Sequence, residues 1–202
     1  MILGITGGTG CGKTTLLQVL GRQGFLILDC DAIYHGLLGS DRDLLSRIGQ
    51  RFPGTVTDGI LDRKKLGGLV FSDEKALADL NAITHSAVRA ETERRLAGHR
   101  GNAAIDAIAL FESGLSGLCQ ITVAVTAPVE DRVRRLMARD QISEDYARSR
   151  IAAQHPAQWF EERCSYCLCN DGTPLEFEHK CLAFSDRLGI MKENRKGDDT
   201  ND

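Results

Sequence analysis

The chain has 202 residues, of which 42% are hydrophobic and 26% are charged, so it falls among ordinary soluble globular proteins and not among disordered or fibrous ones. The 25 basic and 28 acidic side chains give a formal net charge of -3, which argues against binding a nucleic-acid backbone. No segment approaches the roughly 20 apolar residues that span a bilayer, and the start lacks the features of a signal peptide. We therefore expect a cytoplasmic protein without membrane or nucleic-acid partners.

Short apolar runs alternate with longer amphipathic segments, which is the pattern of a parallel sheet with helices on its faces. The apolar runs predict strands at Ile2–Thr6, Phe25–Asp29, Ala103–Leu110, Ile121–Thr126 and Tyr166–Cys169. The amphipathic segments predict helices at Lys13–Arg22, across a helical region from Ala32 to Leu96, at Val129–Ala138 and near Glu176–Leu188. The sequence thus predicts an α/β fold.

Two segments are too long to be simple connections, and we interpret them as inserts. Residues 32–100 contain several helix starts and predict a helical insert. Residues 139–163 predict a second, locally basic insert, in which Ser143 caps a helix. The remaining core comprises residues 1–31, 101–138 and 164–190, and the polar tail at 191–202 is expected to be disordered.

Gly7 to Thr14 fit the phosphate-binding pattern G-x-x-x-x-G-K-[ST], directly between a predicted strand and a predicted helix. Glycines let the backbone amides approach phosphate oxygens, and the helix N-terminus attracts the anion. Lys13 is expected to reach the outer phosphates of ATP, and the Thr14 hydroxyl is expected to bind Mg²⁺. The loop residues predicted to bind ATP are Gly8, Thr9, Gly10, Cys11, Gly12, Lys13 and Thr14.

This motif indicates a P-loop NTPase-type fold but does not name a reaction. The sequence has no N-K-x-D tetrapeptide, which guanine-binding GTPases of the Ras type need. Large ATPase motors usually need a longer chain. The size of this chain therefore favours a kinase that acts on a small molecule.

Carboxylates occur at the ends of two predicted strands, where open α/β sheets bind ligands. Asp29 and Asp31 follow the second strand, and we expect one of them to pair with Lys or Mg²⁺ and Asp31 to accept the proton of an attacking hydroxyl. Alternatively, Asp31 only caps the next helix. Asp106, inside the third strand, is expected to face Mg²⁺, a lysine or backbone donors, or else to turn to solvent. Glu112 carries a weaker signal.

The combined motifs are more specific than a phosphate loop alone. They comprise the opening Thr6–Thr15, the pair Asp29 and Asp31, Leu61-Asp62-Arg63, Leu80-Asn81 followed by His85, Asp106 with Leu110-Phe111-Glu112, Arg139-Asp140, Arg150 with Gln154, and Asn170-Asp171-Gly172. With these segments the chain resembles the dephospho-CoA kinase family along nearly its whole length, to about Leu188.

The resemblance implies transfer of the ATP γ-phosphate to the ribose 3′-hydroxyl of dephospho-CoA, with Mg²⁺. It implies that Asp31 is the base, that residues 32–100 bind the acceptor, and that residues 139–163 form a lid. Arg139 is then expected to close over the phosphates. Thr15 extends the ATP-binding loop, and the resemblance places Asn170 and Gly172 beside the adenine.

The acceptor site is less sharply defined by the sequence. The residues expected to contact the acceptor are Asp31, Arg63, His85, Asp106 and Glu112. For His85 a hydrogen-bonded structural role is an equal alternative, and for Arg63 the alternative is a salt bridge at a helix start.

The cysteines invite two further interpretations. Cys164, Cys167, Cys169 and Cys181 lack the second paired half of a zinc site, which favours reduced thiols packed in a core with a buried strand at Tyr166–Cys169. Cys11 lies at a helix N-terminus, where a thiolate is favoured, and we hypothesise that it is sensitive to oxidation.

Two other functions stay open at this point. One is a nucleoside or nucleotide kinase with the same loop and lid arginines, and the other is a regulator that holds ATP without transferring it. In each case we expect a monomer or a weak homo-oligomer.

Overall fold

The computed structural model describes residues 1–189, so the predicted tail at 191–202 lies outside the described residues. The chain forms two compact units. One contains residues 1–27, 101–110 and the chain from Cys119 onward, and the other contains residues 28–100 and 111–118. No helix within residues 1–189 is both long enough and apolar enough to cross a membrane.

The strands of the main sheet and the helices that the sequence predicts occur in the predicted order along the chain. The strands are β1 Ile2–Thr6, β2 Leu26–Asp29, β3 Val56–Thr57, β4 Ile60–Leu61, β5 Ala103–Asp106, β6 Ile121–Thr126 and β7 Tyr166–Cys169. The helices are α1 Lys13–Arg22, α2 Cys30–Ser40, α3 Arg42–Arg51, α4 Arg63–Val70, α5 Glu74–Ala97, α6 Val129–Asp140, α7 Glu144–Ala152, α8 Ala157–Glu161 and α9 Pro174–Arg187.

The first unit, here called the sheet unit, is built on a five-stranded sheet in the order β2-β5-β1-β6-β7. β1 pairs in parallel with β5 and β6, and β6 pairs in parallel with β7. Leu3 and Ile5 of β1 are fully buried, as are Leu16 and Leu20 of α1. Burying such apolar side chains is the main favourable contribution to folding. It fixes the loop between β1 and α1 at the carboxyl end of the central strand.

Two details of the predicted sheet and one of the predicted helices are wrong. The third strand ends at Asp106 and not at Leu110, because after the bond from Ala107 N to Ile5 O the chain leaves the ladder and turns. β7 is an edge strand with mostly exposed residues, so it is not the buried strand expected. The last helix begins at Pro174, where Thr173 and Glu176 form a capping box that the prediction missed.

The second unit, here called the helical unit, packs α2 to α5 around its own core. Aspartates cap all four helices through backbone amides: Asp29, Asp41, Asp62 and Asp73. The core includes Leu44, Leu45, Ile48, Phe52, Leu66 and Val70. The described unit also contains a short hairpin of β3 and β4, which the helical prediction missed.

That hairpin follows from a turn signal in the sequence. Asp58 and Gly59 both have positive φ, 51° and 76°, as a type I′ turn requires, and Asp-Gly is a preferred pair for this turn. Asp58-Gly59 therefore sets the register in which Val56 faces Leu61.

We predict opposite stability effects for alanine at two glycines of the sheet unit. A Cβ on Gly4 of β1 would lie 2.7 Å from Cys119 Sγ and 2.8 Å from Leu110 Cδ2, so Gly4→Ala overpacks the core and should cost about 1–3 kcal/mol. Gly21 of α1 leaves room for a Cβ, whose nearest neighbour would be Ile27 at 3.7 Å, so Gly21→Ala should stabilise by about 0.5 kcal/mol. Calorimetric melting measures both, and a Gly4→Ala melt equal to wild type contradicts the packing described.

Candidate active site

The loop between β1 and α1 presents main-chain amides at a helix end. Gly12 is the N-cap of α1 with φ 99°, and within the described chain no side chain caps this helix. A helix N-terminus carries amides without intrahelical partners and attracts anions. A Cβ on Gly7 would lie 2.1 Å from Val125 O, and one on Gly12 would lie 2.3 Å from Asn170 Nδ2. Only glycine fits these two positions, so the sequence specifies the conformation of this loop.

Asn170 and Arg135 form hydrogen bonds to the loop and to each other. Asn170 is buried and donates through Nδ2 to Cys11 O at 2.9 Å. Arg135 of α6 donates to Gly10 O at 3.3 Å and to Asn170 Oδ1 at 3.1 Å. These bonds join the loop to α6 and to the segment after β7, which preorganises the loop before a ligand arrives.

A second support comes from Arg132 and Gln154. Arg132 Nε donates to Thr9 O at 2.9 Å, and its Nη2 donates to Gln154 Oε1 at 3.0 Å. The same Gln154 oxygen accepts from Thr9 N at 2.8 Å. The first half of the loop is therefore held by a closed set of three hydrogen bonds.

Lys13 and Thr14 begin α1 directly after the loop. Lys13 Nζ donates to Gly7 O at 2.9 Å, a neutral acceptor, so its charge is available for a stronger charged acceptor. Thr14 is exposed in the first turn of α1. An ammonium, a hydroxyl and uncapped amides thus surround one helix end, and this donor set fits a magnesium-bound polyphosphate.

A cavity of about 560 Å³ lies beside the loop supports, between α6 and the start of α9. Arg135, Ala138, Asp171, Gly172 and Thr173 line it. Gly172 therefore lies on the cavity wall, whereas the side-chain amide of Asn170 is used to support the loop. The cavity is large enough for a purine base.

Arg139 lies in the last turn of α6 and is bound to its neighbour. Its Nε donates to Asp140 Oδ1 at 2.7 Å, and Arg150 Nη1 donates to Asp140 Oδ2 at 2.6 Å. Hydrogen bonds from these two arginines lower the pKa of Asp140 to about 2. Asp140 thus ties the end of α6 to α7.

Asp31 lies in the helical unit, in the first turn of α2, and is exposed. β2 ends at Asp29 and α2 begins at Cys30, so the two acids lie in different elements. Asp29 itself caps α2 by accepting from Ala32 N at 2.9 Å. Asp31 therefore does not cap the helix, and its carboxylate is available for chemistry.

Arg63 is the first residue of α4 and lines a cavity of about 170 Å³ in the helical unit. The cavity is mostly apolar, with Tyr34, Leu66 and Phe71 in its wall. Burial raises the pKa of the Tyr34 hydroxyl, and the charge of Arg63 opposes that shift. The cavity combines an apolar wall with one guanidinium.

His85 of α5 and Glu112 belong to the same unit and interact electrostatically. Partial burial lowers the pKa of His85, and the charge of Glu112 opposes this effect. Asp106, by contrast, is the last residue of β5 in the sheet unit and is half-buried, in register with Ile5. The acceptor residues predicted from sequence are therefore divided between the two units.

Cys11 does not have the thiolate character expected from its position. Burial raises its pKa, and the charges of Arg132 and Lys13 only partly oppose that rise. Cys181 is also buried, whereas Cys167 and Cys169 are exposed on β7. Within residues 1–189, no three His, Cys, Asp or Glu side chains are grouped to hold a metal ion.

Sequence reasoning missed Arg132 and Arg135. Together with Arg139 they recur at three- and four-residue spacing, which places them on one helix face. That spacing, directly after the apolar strand Ile121–Thr126, was the signal that could have identified them.

Comparisons with known proteins show which family this chain resembles. The family model for dephospho-CoA kinase matches residues 1–176. A dephospho-CoA kinase of Lactobacillus johnsonii is 32% identical over 193 residues, which cover 93% of this chain and 98% of that protein. The crystal structure of TT1252 from Thermus thermophilus has a TM-score of 0.80 at 34% identity, covering 93% and 97% of the two chains. A shikimate kinase of Bacteroides thetaiotaomicron shares the fold alone, with a TM-score of 0.57 at 12% identity over 94% and 98%.

We predict that Glu112→Gln lowers the pKa of His85 further. The present shift is downward because burial disfavours the charged ring, and removal of the Glu112 charge takes away the opposing influence. The folded state already binds this proton less tightly than the unfolded state does. His85 therefore lowers the free energy of unfolding as the pH falls through the ordinary pKa of histidine. NMR titration of the imidazole measures the shift.

Glu74→Gln is the matched control, because Glu74 begins the same helix about 16 Å away along its axis. It should leave the His85 titration unchanged. A rise in the His85 pKa in Glu112→Gln contradicts the described pair.

Proposed function

The chain belongs to the dephospho-CoA kinase family, and on that premise we propose that it transfers the γ-phosphate of ATP to the ribose 3′-hydroxyl of dephospho-CoA. The products are coenzyme A and ADP. The observation that carries this proposal is the phosphate loop, which is held by two sets of hydrogen bonds and leads into a helix without a side-chain cap. It occurs in a chain whose family match extends over residues 1–176.

ATP binds with its triphosphate along the amides of Gly8 to Thr15. Lys13 exchanges the Gly7 carbonyl for the outer phosphates, which are charged and therefore stronger acceptors. The adenine occupies the cavity that Gly172 and Arg135 line. Asn170 acts through the loop that it supports. Thr14 supplies a hydroxyl to Mg²⁺, which neutralises phosphate charge when bound.

The helical unit supplies the acceptor side, as residues 32–100 were expected to do. Asp31 accepts the proton of the attacking hydroxyl, and its exposed position leaves the carboxylate able to do so. Arg63 pairs with a phosphate of the acceptor, since its cavity in the described structure holds no carboxylate among its lining residues. His85, Glu112 and Asp106 orient the acceptor.

Residues 139–163 act as the lid. Arg139 leaves Asp140 and stabilises the negative charge on the transferred phosphoryl group. Asp140 retains its bond to Arg150 during that change. The chemistry is mostly alignment and electrostatic stabilisation, as is general for phosphoryl transfer.

An ADP-release assay with different acceptors tests the proposal. With Mg·ATP, dephospho-CoA should support turnover, and mass spectrometry should show one added phosphate on the acceptor. Nucleosides and nucleoside monophosphates should give at most background turnover. Turnover only with one of these acceptors identifies a nucleoside or nucleotide kinase instead, and ATP binding without turnover of any acceptor identifies a regulator.

We predict that Asp31→Asn lowers kcat by at least about a hundredfold and leaves the KM for ATP nearly unchanged, because loss of a general base typically costs this much. The matched control is Asp43→Asn, which removes the corresponding first-turn acid of the next helix. Steady-state kinetics measure both variants. Equal kcat in Asp31→Asn and Asp43→Asn would remove Asp31 from the role of base.

A further inference from the structure

Arg132 is a charged side chain for which the mechanism above has no use. Among residues 1–189 it is the only Asp, Glu, Lys, Arg or His side chain that is buried, with 4% of its surface exposed. Burying a guanidinium is costly unless a counter-charge compensates it. The position of Arg132 therefore calls for a negative partner.

The described structure contains no such partner. Both side-chain hydrogen bonds of Arg132 go to neutral acceptors, Thr9 O and Gln154 Oε1. Two other arginines of the same helix differ in this respect, because Arg134 pairs with Asp131 and Arg139 pairs with Asp140. In the part of the chain described, no carboxylate forms a salt bridge with Arg132.

The guanidinium lies directly against the phosphate loop. A Cβ on Gly8 would be 2.3 Å from Arg132 Nη2 and 2.9 Å from Arg132 Cζ. Its charge also acts on Cys11 inside the loop. The nearest feature built to receive an anion is therefore the loop itself.

We propose that Arg132 is a fixed positive charge beneath the phosphate loop, for which the polyphosphate of the nucleotide is the counter-ion. Gln154 accepts hydrogen bonds from both the guanidinium and the Thr9 amide, and the guanidinium donates to Thr9 O. The charge is therefore oriented before the ligand arrives. The inference rests on the proposed function only in taking a nucleoside triphosphate as the ligand.

A charge acts differently from a purely structural support. A neutral donor at position 132 could still bond to the Thr9 carbonyl and hold the loop. A charge, in contrast, strengthens binding more for each added phosphate, and it makes binding more sensitive to ionic strength. Affinities along a series of phosphates therefore separate the two roles.

The experiment compares Arg132→Gln, Arg132→Lys and Arg22→Gln with wild type by isothermal titration calorimetry. Arg132→Gln removes the charge and keeps a donor, and Arg132→Lys keeps the charge. Arg22→Gln removes an exposed charge from the last turn of α1, where Arg22 pairs with Glu178. The ligands are AMP, ADP, ATP and inorganic tripolyphosphate, each at two salt concentrations.

For Arg132→Gln we expect at least about tenfold weaker binding of ATP and tripolyphosphate, as loss of a hydrogen-bonded charge implies. The loss of affinity should be smaller for ADP and smallest for AMP. ATP binding should also depend less on salt concentration in this variant than in wild type. Arg132→Lys should restore most of the ATP affinity, and Arg22→Gln should match wild type. An equal loss for all three nucleotides, or no loss, overturns the proposal in favour of structural support alone.

Circular dichroism of the nucleotide-free proteins verifies folding. If Arg132→Gln does not fold, Arg132→Lys decides, because loss of the phosphate-number dependence in a variant that keeps the charge overturns the inference. The readout is binding without an acceptor. Normal phosphate dependence with no turnover of dephospho-CoA would therefore refute the proposed function and leave this inference standing.

Discussion

The hydrogen-bonding deficit at the start of α1 is the constraint on which the site depends. A helix beginning at Lys13 directly after a left-handed Gly12 leaves amides that no side chain of the described structure caps. Other helices meet this deficit with capping side chains, as at Asp29, Asp62 and Thr173, whereas α6 and α8 follow Pro128 and Pro156 without a side-chain cap. Among these uncapped starts, α1 follows a loop in which Gly7, Gly10 and Gly12 have positive φ, and anions are the ligands that its free amides attract.

Keeping such a loop in place requires support from outside it. α6 provides two arginines, Arg132 and Arg135, and the segment after β7 provides Asn170, all bonded to carbonyls of the loop. Because these donors use the carbonyls, the amides of Gly10, Gly12, Lys13 and Thr14 remain for the ligand, whereas those of Thr9 and Cys11 donate to Gln154 Oε1 and Gly8 O. This arrangement explains why α6 lies against the loop, and why a helix with several arginines pairs only some of them with acids.

Much of the sheet unit could be predicted from the sequence, since its buried strands are continuous apolar runs and the loop motif has an unambiguous spacing. β1, β6 and α1 have the predicted bounds. The support from Asn170 could not be predicted, because its hydrogen bond to Cys11 joins residues 159 positions apart, whereas the spacing of Arg132 and Arg135 was a signal present in the sequence. The thiol of Cys11 was misjudged because helix position favours a thiolate, whereas burial, which sequence does not report, has the larger effect. The β3–β4 hairpin was missed although Asp58-Gly59 signals it.

The most direct test of the central claim is an NMR titration of the backbone amides with inorganic tripolyphosphate, which has no base or sugar to contribute other contacts. The account predicts that the largest shift changes occur at Gly10, Gly12, Lys13 and Thr14, and that exposed helix starts such as Asp43 in α3 do not respond. Shift changes spread over unrelated surface amides, with none at the start of α1, would contradict it.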